Sequence, residues 1–363
     1  MRILVVDDTI AYRTIVSNAL AGLPGVEIAG TANNGAIALQ KVRSLKPDLV
    51  TLDIEMPEMG GIKVLEALKR DGIEVGVIVV SALTVRGGDL TMKALELGAF
   101  DFITKPDGVS AQENAEEIKR SLGQLVKAWG DRQEIRSLLK GTGGQAARTS
   151  AKTATIVAPP RPAPVPMTAP RRKAEVVGIG ISTGGPNALL RALPMLPGDL
   201  GVPIAIVQHM PPLFTQSLAA SLKAKCSLQV KEAEHGESFL PNCVYIAPGG
   251  KHMKVGSAAD GNGWVLQVTD DPPENHCKPS VDYLFRSLAH QFGGRAVGVI
   301  MTGMGNDGVL GLRLMRRNGS MVIAQDEATC VVFGMPKEAI DAGVVDVVAP
   351  LDAIANEIVR TVR

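Results

Sequence analysis

Short unbroken apolar runs recur along the chain, separated by stretches with helical spacing. In the first third the runs fall at residues 3–6, 26–29, 49–52, 75–80 and 100–103, with helical patterns between them at 60–70 and 91–97. Strands covered by helices on both faces lose the apolar–polar alternation and read as continuous apolar runs. Five such strand–helix units predict an α/β domain with a doubly wound parallel sheet, over residues 1–122. The pattern resumes at residue 174, with runs at 176–181, 203–207, 244–247, 296–301, 321–324 and 344–348. A helix over 282–292 is marked by Leu284, Phe285, Leu288 and Phe292 at helical spacing. Residues 264–269 alternate strictly and follow closely on 252–255, which predicts an antiparallel hairpin added to the second sheet. Residues 174–363 therefore read as a second doubly wound α/β domain, Rossmann-like in its alternation.

Between the two lies a stretch of different character. Residues 140–173 hold six prolines, seven Lys or Arg residues and no acid. The run 159–166 predicts an extended, semi-rigid connector. With the end of the last helix of the first domain, the linker is set at residues 123–173. A solvated spacer is the plain reading; a basic segment is also able to bind an acidic partner. The 363 residues suffice for two full cores, and 45% hydrophobic with 21% charged residues is a globular composition. A net charge of +1 gives no global pull toward nucleic acid or membrane. No apolar stretch nears the ~18 residues of a membrane span. The start, Met1 to Asp8, turns acidic too soon for a signal peptide. Cys226, Cys243, Cys277 and Cys330 show no CxxC pairing and read as reduced thiols of a cytoplasmic protein.

Ligands of parallel α/β sheets gather at the carboxyl ends of the strands. In the first domain those ends carry Asp7, Asp8, Asp53, Ser81 and Lys105. Any one acid there could be a solvated strand end or a helix cap; three converging carboxylates instead require a cation, and an oxygen-rich site suits Mg²⁺. Asp53 is then placed to attack a phosphoryl group, with Mg²⁺ and Lys105 neutralising charge. A cis bond between Lys105 and Pro106 would aim the lysine inward. This constellation resembles the receiver domain of two-component response regulators over about 120 residues. The resemblance implies a flavodoxin-like fold, Asp53 as phospho-acceptor and Asp7 and Asp8 as Mg²⁺ holders beside it. Ser81 would bond the phosphoryl group and Lys105 would be its companion lysine. Phe102 takes the aromatic switch position and, having no hydroxyl, can act there only by packing.

In the second domain Ser182 lies in Gly180-Ile181-Ser182-Thr183-Gly184, directly after an apolar run. A serine on a sharp strand-to-helix turn has the setting of a nucleophile elbow, and Pro186 suits the first turn of the following helix. Of the five histidines, His209 ends the next apolar run and so shares the rim with Ser182. His252 and His290 read as structural, His235 as a loop residue, and His276 as a neighbour of Cys277 that completes no metal site. The glycine-rich loop 302–308 brings Asp307 to the same rim, where it would orient the imidazole; a helix cap is the alternative role. The backbone N–H of Thr183 or of Met304 would serve as oxyanion donor. The glycine pattern also imitates a dinucleotide fingerprint, but the second strand ends in Gln208-His209 rather than in an acid.

Four segments carry a closer resemblance: 180–185, Gln208-His209-Met210-Pro211, 278–282 and 302–308. Together with the receiver-like domain and the linker they resemble the chemotaxis protein-glutamate methylesterases, the CheB family, over the whole chain. The resemblance implies a Ser182–His209–Asp307 hydrolase without a cofactor, acting on γ-glutamyl methyl esters of chemoreceptors and deamidating certain receptor glutamines. It implies the chemotaxis histidine kinase as phosphodonor, a cytoplasmic protein recruited to receptor arrays, and an unphosphorylated receiver packed over the esterase site. Nucleic acid is not expected as a partner, since no basic recognition helix is present, nor is membrane insertion. Hydrolysis of another protein ester or amide, and a non-catalytic response regulator that only binds a partner, remain as other readings.

Overall fold

A computed structural model describes residues 1–106, 110–141, 173–259 and 261–363. The proline-rich basic stretch of the linker lies outside the described residues. The first domain carries β1 (Arg2–Val6), α1 (Ile10–Ala21), β2 (Glu27–Ala32), α2 (Gly35–Leu45) and β3 (Leu49–Asp53). It continues through α3 (Gly61–Arg70), β4 (Gly76–Ser81), α4 (Val85–Glu96), β5 (Asp101–Thr104) and α5 (Ala111–Gly141). The strands pair in parallel in the order β2-β1-β3-β4-β5, the flavodoxin-like arrangement. The central strands β3 and β4 are buried at every position, as their unbroken apolar runs require. Helix α4 begins at Val85, six residues before the periodic stretch, across Gly87 and Gly88. Those glycines weaken the helical pattern in sequence, and tertiary packing explains Gly88. A Cβ there would stand 2.7 Å from Ser217 Oγ of the second domain.

The second domain comprises β6 (Val176–Ile181), α6 (Gly185–Ala192), β7 (Ile204–Gln208), α7 (Phe214–Lys223), β8 (Gln229–Glu232) and β9 (Cys243–Ile246). After the hairpin β10 (His252–Ser257) and β11 (Trp264–Thr269) come α8 (Val281–Phe292), β12 (Ala296–Ile300) and α9 (Val309–Arg317). The chain ends in β13 (Met321–Gln325), α10 (Met335–Asp341), β14 (Val347–Ala349) and α11 (Leu351–Val362). Seven strands form a parallel sheet in the order β14-β13-β12-β6-β7-β9-β8. Strand β8 has no counterpart in the apolar pattern: it is an edge strand with one buried residue, Val230, so burial imposes no continuous run on it. The hairpin forms as expected but stands as a separate antiparallel pair rather than extending the main sheet.

The strand order reverses at β6, flanked by β7 on one side and β12 on the other. Chains leaving β6 and β12 turn to opposite sides, which opens a crevice at their carboxyl ends, the usual ligand position of such sheets. Helix α4 of the first domain packs against α6 and α7 of the second, so the first domain sits over this crevice. Ser217 donates to Asp89 at 2.8 Å, Ser221 to Glu96 at 2.6 Å, and Lys225 pairs with Glu96 at 2.8 Å.

Candidate active site and phospho-acceptor site

The loops that rim the crevice are tied together at the backbone. Ser182 N–H donates to Thr302 C=O at 3.0 Å and His209 N–H to Ile181 C=O at 3.1 Å. The three loops that follow β6, β7 and β12 are thereby joined, which brings Ser182, His209 and Asp307 to one rim from positions far apart in sequence. Gly184 makes the sharp turn after the serine, at φ +73°. L-residues resist this region, and a Cβ at Gly184 would also lie 2.4 Å from Val331. Gln208 reinforces the elbow from beneath, its Nε2 donating to Ser182 C=O at 2.9 Å.

His209 Nε2 lies 2.9 Å from Asp307 Oδ2. A carboxylate accepts only, so Nε2 carries the hydrogen and Nδ1 is the basic nitrogen of the neutral ring. Asp307 does not cap α9. Gly308 holds that position, and the carboxylate instead collects donors from the segment before α8 and from its first turn. Asn275 Nδ2, Ser280 Oγ, Val281 N–H and Asp282 N–H all donate to it, between 2.7 and 3.1 Å. Burial would raise this carboxyl, but His209 and the two backbone N–H groups outweigh it and hold it at about 2. Burial opposes a charge on His209 as well; the bonds to Asp307 and Cys277 overcome it and push the imidazole up to about 9.

Ser182 Oγ and His209 share no hydrogen bond among the described residues, and Nδ1 faces Cys277 Sγ at 3.9 Å instead. Linear reasoning set Cys277 aside with His276. In the fold Asn275 and His276 both take positive φ, at +52° and +60°, so that His276 is exposed while Cys277 turns toward the imidazole. The other histidines have the expected roles in part: His252 is buried, with Nε2 on Pro272 C=O and Nδ1 accepting from Ser280 N–H. His235 and His290 are exposed. Among the described residues neither the Thr183 nor the Met304 N–H finds an acceptor, while Gly184 N–H donates to Asp101 Oδ2 of the first domain at 2.9 Å.

In the first domain Lys105 Nζ reaches Asp53 Oδ2 at 2.6 Å and Asp7 Oδ2 at 2.9 Å. It does so without a cis bond before Pro106; among the described residues the cis bond lies between Lys278 and Pro279. Burial resists the ammonium, but Asp53 and Asp7 outweigh it and keep Lys105 above the usual lysine range. Burial, aided by Asp7 and opposed by Lys105, raises Asp53 to about 6. Asp7, Asp8 and Asp53 bring carboxylate oxygens within 4.8 Å of one another. The pair of Asp7 Oδ2 with Lys105 lacks hydrogen-bond alignment, leaving that buried oxygen without a hydrogen bond. One ammonium against three acids is a donor set short of positive charge, which fits a hard divalent cation. Ser81 is not drawn into the cluster: its hydroxyl donates to Gly87 C=O at 3.2 Å. Phe102 stacks on Phe214 of the second domain, with ring centroids 4.9 Å apart and planes 8° from parallel.

Comparison with known proteins identifies both domains. The CheB methylesterase family profile matches residues 177–358, and the response regulator receiver domain profile matches residues 3–115. The chain is 53% identical over 363 residues to the protein-glutamate methylesterase/protein-glutamine glutaminase of Desulfotalea psychrophila, covering 100% of this chain and 99% of that protein. It is 43% identical over 367 residues to the protein of the same name from Bacillus subtilis, covering 100% and 99%. Among solved structures, the Thermotoga maritima CheB methylesterase catalytic domain is similar at 41% identity and a TM-score of 0.50, covering 52% of this chain and 99% of that one. With a receiver fold, an esterase fold and full-length relatives in agreement, the chain belongs to the CheB methylesterase family.

Proposed function

We propose that this protein is a receiver-regulated esterase that removes methyl groups from glutamate side chains of chemoreceptors and deamidates receptor glutamines. The observation that carries the reading is the convergence of the loops that bear Ser182, His209 and Asp307, with His209 bonded to Asp307, at the point where the sheet order reverses, beneath a receiver domain. Ser182 Oγ attacks the ester carbonyl and His209 Nδ1 takes its proton, while Asp307 stabilises the imidazolium on the other nitrogen. The unengaged N–H groups of Thr183 and Met304 are suited to receive the oxyanion, each such donor being worth ~2.7–4 kcal/mol in the transition state. The protonated His209 then passes its proton to the departing methanol, and water attacks the acyl-serine by the same relay. Deamidation follows the same course with ammonia leaving. Since His209 faces Cys277 at rest, the ring must turn toward Ser182 when substrate enters; such contacts often tighten only with substrate bound.

In the receiver domain, Asp53 would take the phosphoryl group from a chemotaxis histidine kinase, with Lys105 neutralising the transferred group. Asp7, Asp8 and Asp53 would hold Mg²⁺, which when bound screens the charge of the incoming phosphoryl oxygens. The stack of Phe102 on Phe214 and the bond from Gly184 N–H to Asp101 support a closed state in which the receiver covers the nucleophile elbow. Ser81, now bonded to Gly87, would turn to the phosphoryl group, releasing α4 from α7. We set the receiver at residues 1–122 and the esterase at 174–363. Among the described residues no helix is long and apolar enough to cross a membrane, which is compatible with a cytoplasmic enzyme recruited to receptor arrays.

The test is methanol release from methylated receptor membranes, with and without a small-molecule phosphodonor. Wild type should release methanol, faster with the donor, and Ser182→Ala should be silent, a loss of up to ~10⁶. Release that persists in Ser182→Ala would remove the nucleophile; release by neither protein would remove the substrate.

A further inference from the structure

We propose that Cys277 is a second nucleophile of the esterase centre, paired with His209, and that its reaction with small electrophiles such as peroxides silences the enzyme. The loss of esterase turnover rests on the function proposed above; the reactivity of the thiol does not. Three observations meet here. Asp307 holds Nε2 of His209 at 2.9 Å, so Nδ1 points away from it, and the group it faces is Cys277 Sγ at 3.9 Å. Ser182 makes no competing bond to the ring. Cys277 is only half-buried, and Asn275 anchors its turn by donating to both Asp282 and Asp307. The series acid, imidazole, thiol is the arrangement that activates a cysteine, because a proton leaving sulfur is taken by a ring whose charge a carboxylate already stabilises. The other three cysteines lack it: burial pushes Cys226 up to about 11 and holds Cys243 and Cys330 above the usual thiol range.

With hydrogen peroxide the chemistry balances as follows. The thiolate sulfur attacks one oxygen, an S–O bond forms and the O–O bond breaks. Sulfur is oxidised by two electrons to a sulfenic acid, and the departing hydroxide takes the proton from His209 to become water. With iodoacetamide an S–C bond replaces the C–I bond and iodide leaves. Either product places added bulk against the imidazole that must turn toward Ser182.

The experiment treats the full-length protein at pH 7 with limiting iodoacetamide and maps the added mass to each cysteine over time. With an imidazole whose charge Asp307 stabilises set against its sulfur, Cys277 should be labelled roughly tenfold faster than Cys226, which has no such neighbour. His209→Ala and His209→Gln should each remove that advantage while leaving the Cys226 rate unchanged, which also reports that the variants are folded. In a second arm peroxide is added and sulfenic acid is trapped with dimedone while methanol release is followed. Wild type should lose turnover in step with trapping at Cys277, and Cys277→Ser should hold its own untreated rate. Labelling of Cys277 no faster than that of Cys226, or equally fast without His209, would overturn the activated thiol. Turnover that survives full modification of Cys277 would overturn the silencing. Should wild type release no methanol before treatment, the esterase assignment fails, and the labelling arm still decides the thiol.

Discussion

The proton on His209 sets the conditions under which this site can work. The imidazole is pushed up to about 9, and a general base must be neutral to accept a proton. Activity of the free enzyme should therefore rise with pH and level off only above about pH 9, seen as one rising limb in the pH profile of kcat/KM. Removing the carboxylate takes away the partner that favours the charged ring, so Asp307→Asn should move that limb to lower pH while lowering the plateau by about 10³–10⁴. A limb that stays in place in Asp307→Asn would mean that Asp307 does not set the protonation of His209. The same shift has a sign in stability. A histidine raised from 6.5 to about 9 contributes stability that is complete below pH 6.5 and lost as pH climbs through 9. Chemical unfolding of wild type against a His209 variant should therefore converge in midpoint above pH 9.

At the scale of elements, the site depends on a turn rather than on a helix or a strand. Between β6 and α6 the chain must reverse within Ser182, Thr183 and Gly184, and only the last of these adopts a left-handed backbone. Gly184→Ala should cost about 1–2 kcal/mol for the backbone alone, with more for the approach of Val331. The expected readout is a lower denaturant midpoint with unchanged slope, together with reduced methanol release even with phosphodonor present. Unchanged stability would show that the elbow tolerates a side chain here. Helix α8 contributes in a different way. Its N-cap Ser280 accepts from Tyr283 N–H, and the same serine, with the first N–H groups of the helix, holds Asp307. A helix start is thus used to fix a catalytic acid supplied by another loop, in keeping with the affinity of helix N-termini for anions.

Across the whole molecule, the two domains are held together by contacts of unequal kind. Phe102 against Phe214 and Asp101 against Gly184 N–H lie inside the interface, whereas Lys225–Glu96 lies at its rim, partly exposed. Burial raises Asp101 to about 6, so it is still ionised near neutrality and its bond to Gly184 is charge-assisted. A rim ion pair is worth only ~0.2–1 kcal/mol, and reversing one charge adds repulsion of similar size. Lys225→Glu should raise methanol release without phosphodonor roughly two- to tenfold, and the double variant Glu96→Lys, Lys225→Glu should bring it back down. Residues 174–363 alone should exceed the unphosphorylated full chain in activity. Equal rates for the two would dispose of the covering role of the receiver.

What the sequence determined by itself follows from rules that act locally or by burial. Strands covered on both faces must be apolar throughout, so eleven of the twelve parallel strands announced themselves, along with the acids at their ends and the glycines around Ser182. Edge strand β8 did not, because half-exposed residues carry no such constraint. Ser182, His209, Asp307, Asp53 and Lys105 were legible because each lies at the carboxyl end of a strand or in the loop that follows it, whose place on the rim is set by the parallel topology. Tertiary structure alone decided which atoms meet. Cys277 and His209 are 68 positions apart, and two left-handed residues turn the thiol inward in a way no linear pattern records. The bond from Gly184 to Asp101 and the stack of Phe102 on Phe214 join different domains; they depend on how two finished surfaces fit, which hydrophobic periodicity within either one does not encode.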